Sequence, residues 1–140
     1  MTQYLSIHPD DPQARLLHMA ADVVRKGGVI ALPTDSCYAL GCHLGDKDAV
    51  ERIRAIRGVD DRHHLTLMCR DLSEIAQFAR VDNAQYRLLK ATTPGSYTFI
   101  LEGTKELPRR VLHPSARRLV CACRRIRLRW PCLSNSVSRC

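Results

Sequence analysis

Apolar and polar residues change period several times along the chain, and each change marks an element. Residues 4–7 (YLSI) alternate well enough for a short strand. Asp11-Pro12 then places a proline where the first turn of a helix accepts it. Leu16, Leu17, Ala20, Ala21, Val23 and Val24 supply a stripe of helical period that stops at Gly27-Gly28. Residues 29–32 (VIAL) are continuously apolar and read as a buried strand. After a polar loop, Asp46 stands as the N-cap of a helix whose apolar positions Ala49, Val50, Ile53 and Ile56 lie three or four apart, with Glu51, Arg52 and Arg54 on the wet side. Residues 65–68 read as the next strand, 72–79 and 83–90 as helices, and 97–101 as a further strand. Strands and helices interleave, which predicts an α/β or α+β fold with a twisted mixed sheet and flanking helices.

The last two dozen residues, RRLVCACRRIRLRWPCLSNSVSRC, show no sustained period and no turn or cap logic. They hold four of the seven cysteines and the only tryptophan. Charge divides at the same place. The net charge of +8 invites a nucleic-acid reading, but residues 1–116 carry 15 basic and 14 acidic side chains, while residues 117–140 carry seven arginines and no acid. Nearly the whole excess belongs to the tail.

At 140 residues the chain makes one domain or part of one. No apolar run approaches the ~20 residues that span a bilayer, and the N-terminus has neither the basic nor the apolar region of a signal peptide. A cytoplasmic protein with no membrane partner is the expectation. Thiols stay reduced in that compartment, so the cysteines read as small hydrophobes and not as a disulfide framework.

Candidate chemistry concentrates in two segments. In 27–41 (GGVIALPTDSCYALG) the apolar run halts at Pro33 and hands over to Thr34, Asp35 and Ser36, whose hydroxyls and carboxylate suit an amino acid at the rim of an open sheet. A simple Asx or Ser/Thr turn explains the same residues. In 93–101 (TPGSYTFIL) Pro94-Gly95 leads into Thr98; glycine permits close approach of backbone to a ligand, and Pro-Gly is also a common tight turn. Between them, Arg57 and Arg62 flank the His63-His64 pair near a helix end and are candidate phosphate contacts. Adjacent histidines in extended chain point apart, and Cys121-x-Cys123 lacks zinc-knuckle spacing, so no metal site is expected. Neither G-x-x-x-x-G-K-[ST] nor G-x-G-x-x-G occurs.

Taken in order, PTDSCYALG, IRAIRGVDDRHHLTLM and TPGSYTFIL resemble the YrdC/Sua5 family, and its YciO branch closely, over residues 2–115. The resemblance implies a twisted α/β sheet with a basic concave face. It implies a nucleotidyltransferase that joins threonine, bicarbonate and ATP into threonylcarbamoyl-AMP for the t6A modification of tRNA. No cofactor is tightly bound; ATP is a substrate, with Mg accompanying it. By position, Thr34 matches the residue that contacts threonine, with Asp35, Ser36 and Tyr38 in the same pocket wall. The family's K-x-R, whose cations meet phosphates, falls on Arg57-Gly58-Val59; Val59 supplies no charge, a departure typical of the YciO branch. H-P-L falls on His63-His64-Leu65, with Thr66 and Arg62 beside it, and P-G-P-x-T on Pro94, Gly95, Ser96, Tyr97 and Thr98. These are the implied nucleotide contacts. The alternative is a non-catalytic module that binds tRNA or double-stranded RNA by shape and 2′-hydroxyls.

The resemblance implies a domain incomplete at its C-terminus, with residues 1–116 its N-terminal part and 117–140 an aberrant tail. Reading the codons of residues 119–133 from their third base permits GLRVPAHPLALALL, which is what the family carries there. A frameshift near residues 115–119 is the expectation, and with it a chain that is poorly soluble or only partly folded.

Overall fold

The computed structural model describes residues 2–34, 37–60, 62–63, 65–107, 118–122 and 135–139. The first helix, α1 (Ala14–Arg25), buries Leu17, Ala20, Ala21 and Val24, the stripe expected from its period, and packs against β1 (Ile30–Pro33). Residues 4–7 are not a strand: no ladder pairs them, and Tyr4 is almost fully exposed. Alternation alone therefore misled, since a strand needs a partner for its backbone groups.

β1 turns directly into β2 (Tyr38–Gly41), an antiparallel hairpin in which Pro33 faces Tyr38 and Ile30 faces Gly41. The polar loop expected after residue 32 thus contains a strand. β1 is an edge strand with only Leu32 fully buried, not the buried strand its apolar run implied, and Pro33 is tolerated because an edge needs no inward donor.

Helix α2 (Lys47–Arg57) begins at Asp46, whose carboxylate accepts from the Ala49 amide at 2.9 Å. Its buried face runs through Ala49, Val50, Ile53 and Arg54. Here the sequence reading is corrected twice: Arg54 is 6% exposed instead of solvated, and Ile56 is 61% exposed instead of inward. The helix is turned toward its 50/54 edge. An arginine can occupy that edge because its aliphatic stem packs while its guanidinium reaches Glu51, 3.3 Å away.

β3 (Thr66–Met68), α3 (Leu72–Phe78), α4 (Asn83–Thr92) and β5 (Phe99–Gly103) follow much as the pattern predicts, while Ala79, expected in the helix, instead begins the short β4 (Ala79–Arg80), which the pattern did not predict. Two further strands, β6 (Arg118–Ala122) and β7 (Asn135–Arg139), come from the aperiodic tail. The mixed sheet has the order β1-β2-β7-β3-β6-β5-β4, in which only β3 and β6 are parallel. Register places Leu67, Cys121 and Phe99 in one row and Leu119 beside Leu101 in the next. These side chains form the main core with Ile75 of α3 and Leu89 of α4. A second cluster joins Cys42 and Leu65 to Ala49, Val50 and Ile53 of α2. On the sheet's other face Thr66, Val120 and Ile100 stand in one row, and Ile100 is 65% exposed.

Candidate functional site

The hairpin tip is built by Thr34. Its hydroxyl donates to the Cys37 carbonyl at 2.6 Å and accepts from the Cys37 amide at 3.3 Å, while its own amide donates to the same carbonyl at 2.9 Å. The Ser/Thr turn weighed as the plain explanation of this segment is present. Asp35 and Ser36 lie outside the described residues. Tyr38, immediately after the turn, is 67% exposed, so its ring faces solvent at the mouth of the hairpin.

The second group gathers at the C-terminus of α2. Gly58, at φ 63°, takes the left-handed conformation that ends a helix; its amide bonds Ala55 O, and the Val59 amide bonds Arg54 O at 3.1 Å. The middle residue of the Arg57-Gly58-Val59 triplet is therefore spent on turning the chain. A second turn follows, with Asp60 Oδ1 accepting from the Arg62 amide at 3.1 Å and Asp60 O from the His63 amide at 3.2 Å. The two turns fold residue 63 back onto residue 57, and Arg57 Nη1 lies 3.1 Å from His63 Nε2. The Arg62 residue is exposed, and His64 lies outside the described residues. Thr66, first in β3, is buried.

The third group is the turn after α4. Thr93 closes that helix through its hydroxyl, which donates to Leu89 O at 2.6 Å. The Thr93–Pro94 peptide is cis. A Cβ on Gly95 would come within 2.5 Å of Thr92 O, so only glycine fits there. Thr98 is exposed at the entrance to β5.

Strand directions decide which groups meet. β7 is antiparallel to both β2 and β3, so β2 and β3 run the same way. Thr34, Tyr38 and the His63 segment that enters β3 consequently share one rim of the sheet. β5 runs against β3, which puts Thr98 and the Pro94-Gly95 turn on the opposite rim. At ~3.3 Å per strand residue the rims lie about 16 Å apart along the strands. No single small molecule touches both unless it lies extended across the face that carries Thr66 and Ile100.

The pairing of Arg57 with His63 had no period or spacing rule to reveal it. The readable sign was Gly58, a helix-ending glycine that reverses the chain between them. Among the described residues no group of three or more His, Cys, Asp or Glu side chains converges as a metal site would require.

The fold and these motifs define a YrdC-type domain, and comparison agrees. Residues 22–124 match the Sua5, YciO and YrdC protein family, whose description reads "telomere recombination". The chain belongs to this family. It is 61% identical over 112 residues to the uncharacterized protein YciO of Escherichia coli K12, a match covering 80% of this chain and 54% of that protein. It is 36% identical over 101 residues to the threonylcarbamoyl-AMP synthase of Chromobacterium violaceum, covering 71% of this chain and 52% of the other. The crystal structure of E. coli YciO superposes with a TM-score of 0.83 at 55% identity over 88% of this chain and 60% of that one. P. abyssi Sua5 complexed with L-threonine shares the fold, with a TM-score of 0.80 at 22% identity over 92% and 39% of the two chains. The chain spans about half the length of the curated relatives it matches.

Proposed function

We propose that this chain carries the amino-acid and nucleotide side of a threonylcarbamoyl-AMP synthase-type site, with catalysis weakened. The observation that supports this reading most is the two-rim arrangement. The Thr34–Tyr38 hairpin and the Arg57–His63 pair share one rim, and the Pro94–Thr98 turn stands on the other, at either end of the sheet face that carries Thr66 and Ile100. An extended ligand made of an amino acid joined to a nucleotide suits such a face; a compact metabolite does not.

In the proposed reaction the threonine amine takes up bicarbonate as a carbamate, with loss of water. A carbamate oxygen then attacks the α-phosphorus of ATP, and diphosphate leaves. Little of this needs a protein nucleophile. Positioning and neutralisation of phosphate charge supply most of the rate. Arg57 contributes one fixed cation, and Val59 leaves its position without a second. The hairpin presents Thr34 and Tyr38 to threonine, and Arg62, His63, Thr66, Gly95 and Thr98 lie along the path of the nucleotide.

The test is diphosphate release by the full chain with ATP, threonine and bicarbonate together, alongside calorimetry of threonine binding. We expect threonine-dependent release at a low rate, and threonine affinity about tenfold weaker in Thr34→Val, where loss of the turn hydrogen bonds lets the hairpin tip relax. Absence of threonine binding, with salt-sensitive binding of double-stranded RNA that ATP and threonine leave unchanged, would overturn the enzyme reading in favour of an RNA-binding module.

A further inference from the structure

The contact between Arg57 and His63 supports an inference that rests on the phosphate-binding reading of this rim. A guanidinium has five donors, no acceptor, and stays charged at every pH at which the protein is folded. Its Nη1 stands 3.1 Å from His63 Nε2, which is hydrogen-bond distance. Nε2 must then be the acceptor. An imidazole that accepts at Nε2 is neutral and keeps its proton on Nδ1. The backbone is committed to this meeting, because the left-handed Gly58 and the Asp60 turn together return residue 63 to residue 57. Both side chains are half-buried, so the pair is held where a surface arginine would sample many rotamers.

We propose that His63 is a positioning residue: as the neutral Nδ1–H tautomer it orients the Arg57 guanidinium toward a phosphate or diphosphate group at this rim, and does not itself contact the anion. A neutral imidazole leaves the charge of the Arg57 guanidinium undiminished. Fixing the guanidinium plane beforehand removes part of the rotamer entropy that anion binding would otherwise cost. The guanidinium occupies Nε2, so the ring has no Nε2–H to offer the anion.

Two measurements on the full chain test this. Nitrogen-15 NMR of the histidine ring should show Nδ1 protonated in the wild-type chain, and a return toward the Nε2–H form in Arg57→Met. Inorganic diphosphate should bind His63→Gln, whose side-chain oxygen can still accept, within about threefold of wild type, and His63→Leu about tenfold more weakly. An Nε2-protonated ring in the wild type, an equal loss of diphosphate in both variants, or no loss in either would overturn the proposal. An Arg57-dependent Nδ1–H tautomer in a chain that binds no diphosphate would uphold the pairing and overturn the phosphate reading of the rim, so the two failures remain distinct.

Discussion

Ile53 and Ile56 sit one turn apart on α2 and meet opposite environments. Ile53 is 0% exposed in the cluster with Cys42, Ala49, Val50 and Leu65, while Ile56 lies in water and Arg54 takes a buried place beside it. A stripe read from spacing alone assigns both isoleucines inward, because positions three and four apart are equivalent until the rotation of the helix about its axis is known. That rotation is set by the sheet, which the helix's own sequence does not contain. Ile53→Ala should cost about 2–5 kcal/mol, from lost transfer free energy and the cavity left behind. Ile56→Ala should stay within about 0.5 kcal/mol. Urea unfolding of the two variants decides it; equal costs would mean that both isoleucines face inward, as spacing alone assigns them.

Among the described residues, three of the four helices start on an aspartate: Asp46 accepts from Ala49 N, Asp71 from Glu74 N and Asp82 from Gln85 N. The titration of Asp71 is displaced. The Glu74 backbone amide, then the side-chain hydrogen bond from Arg70, hold its carboxyl below the usual range. A lowered value means that the folded chain binds the proton more weakly than the unfolded chain. The stability it contributes is therefore complete above the ordinary carboxylate value of about 3.9 and drains away as pH falls through the folded value. Asp71→Asn keeps a capping oxygen but no charge, so it should be slightly less stable than wild type near neutrality, with the difference closing as pH falls, which thermal melts from pH 7 to pH 3 will show. At this scale the sequence was most readable. The helices declared themselves by period and cap, and β3 and β5 by short apolar runs. β2 did not, because Tyr38-Ala39-Leu40-Gly41 is too short to show a period and follows a turn. β4 has two residues, and β6 and β7 owe their state to partners far along the chain. The candidate site reads in the sequence as three motifs; what could not be read was their arrangement on two rims, which depends on strand direction, and the meeting of Arg57 with His63, which depends on two turns.

In the whole molecule, the strand order makes β3 the element on which the sheet depends. Its neighbours are β7 and β6, both supplied by residues after 116. Whether those residues belong to the reading frame of the rest or to a shifted one, a strand in that place needs partners on both sides, for Leu67 is buried in the main core and its backbone lies between two ladders. Remove residues 117–140, and β1-β2 separates from β5-β4, with Thr66, Leu67 and Met68 left with unpaired amides and carbonyls between them. Buried backbone groups without partners cost about 1–3 kcal/mol each, and a domain of this size has only about 5–15 kcal/mol of net stability to lose. The core rows Leu67–Cys121 and Leu101–Leu119 would lose a member each. We therefore predict that a chain ending at Ala116 shows no cooperative thermal transition by circular dichroism and no slowly exchanging amides in β3, while the 140-residue chain protects Thr66, Leu67 and Met68. A sharp melt of the shorter chain would show that residues 2–107 hold a sheet of their own, and that β6 and β7 are additions to it.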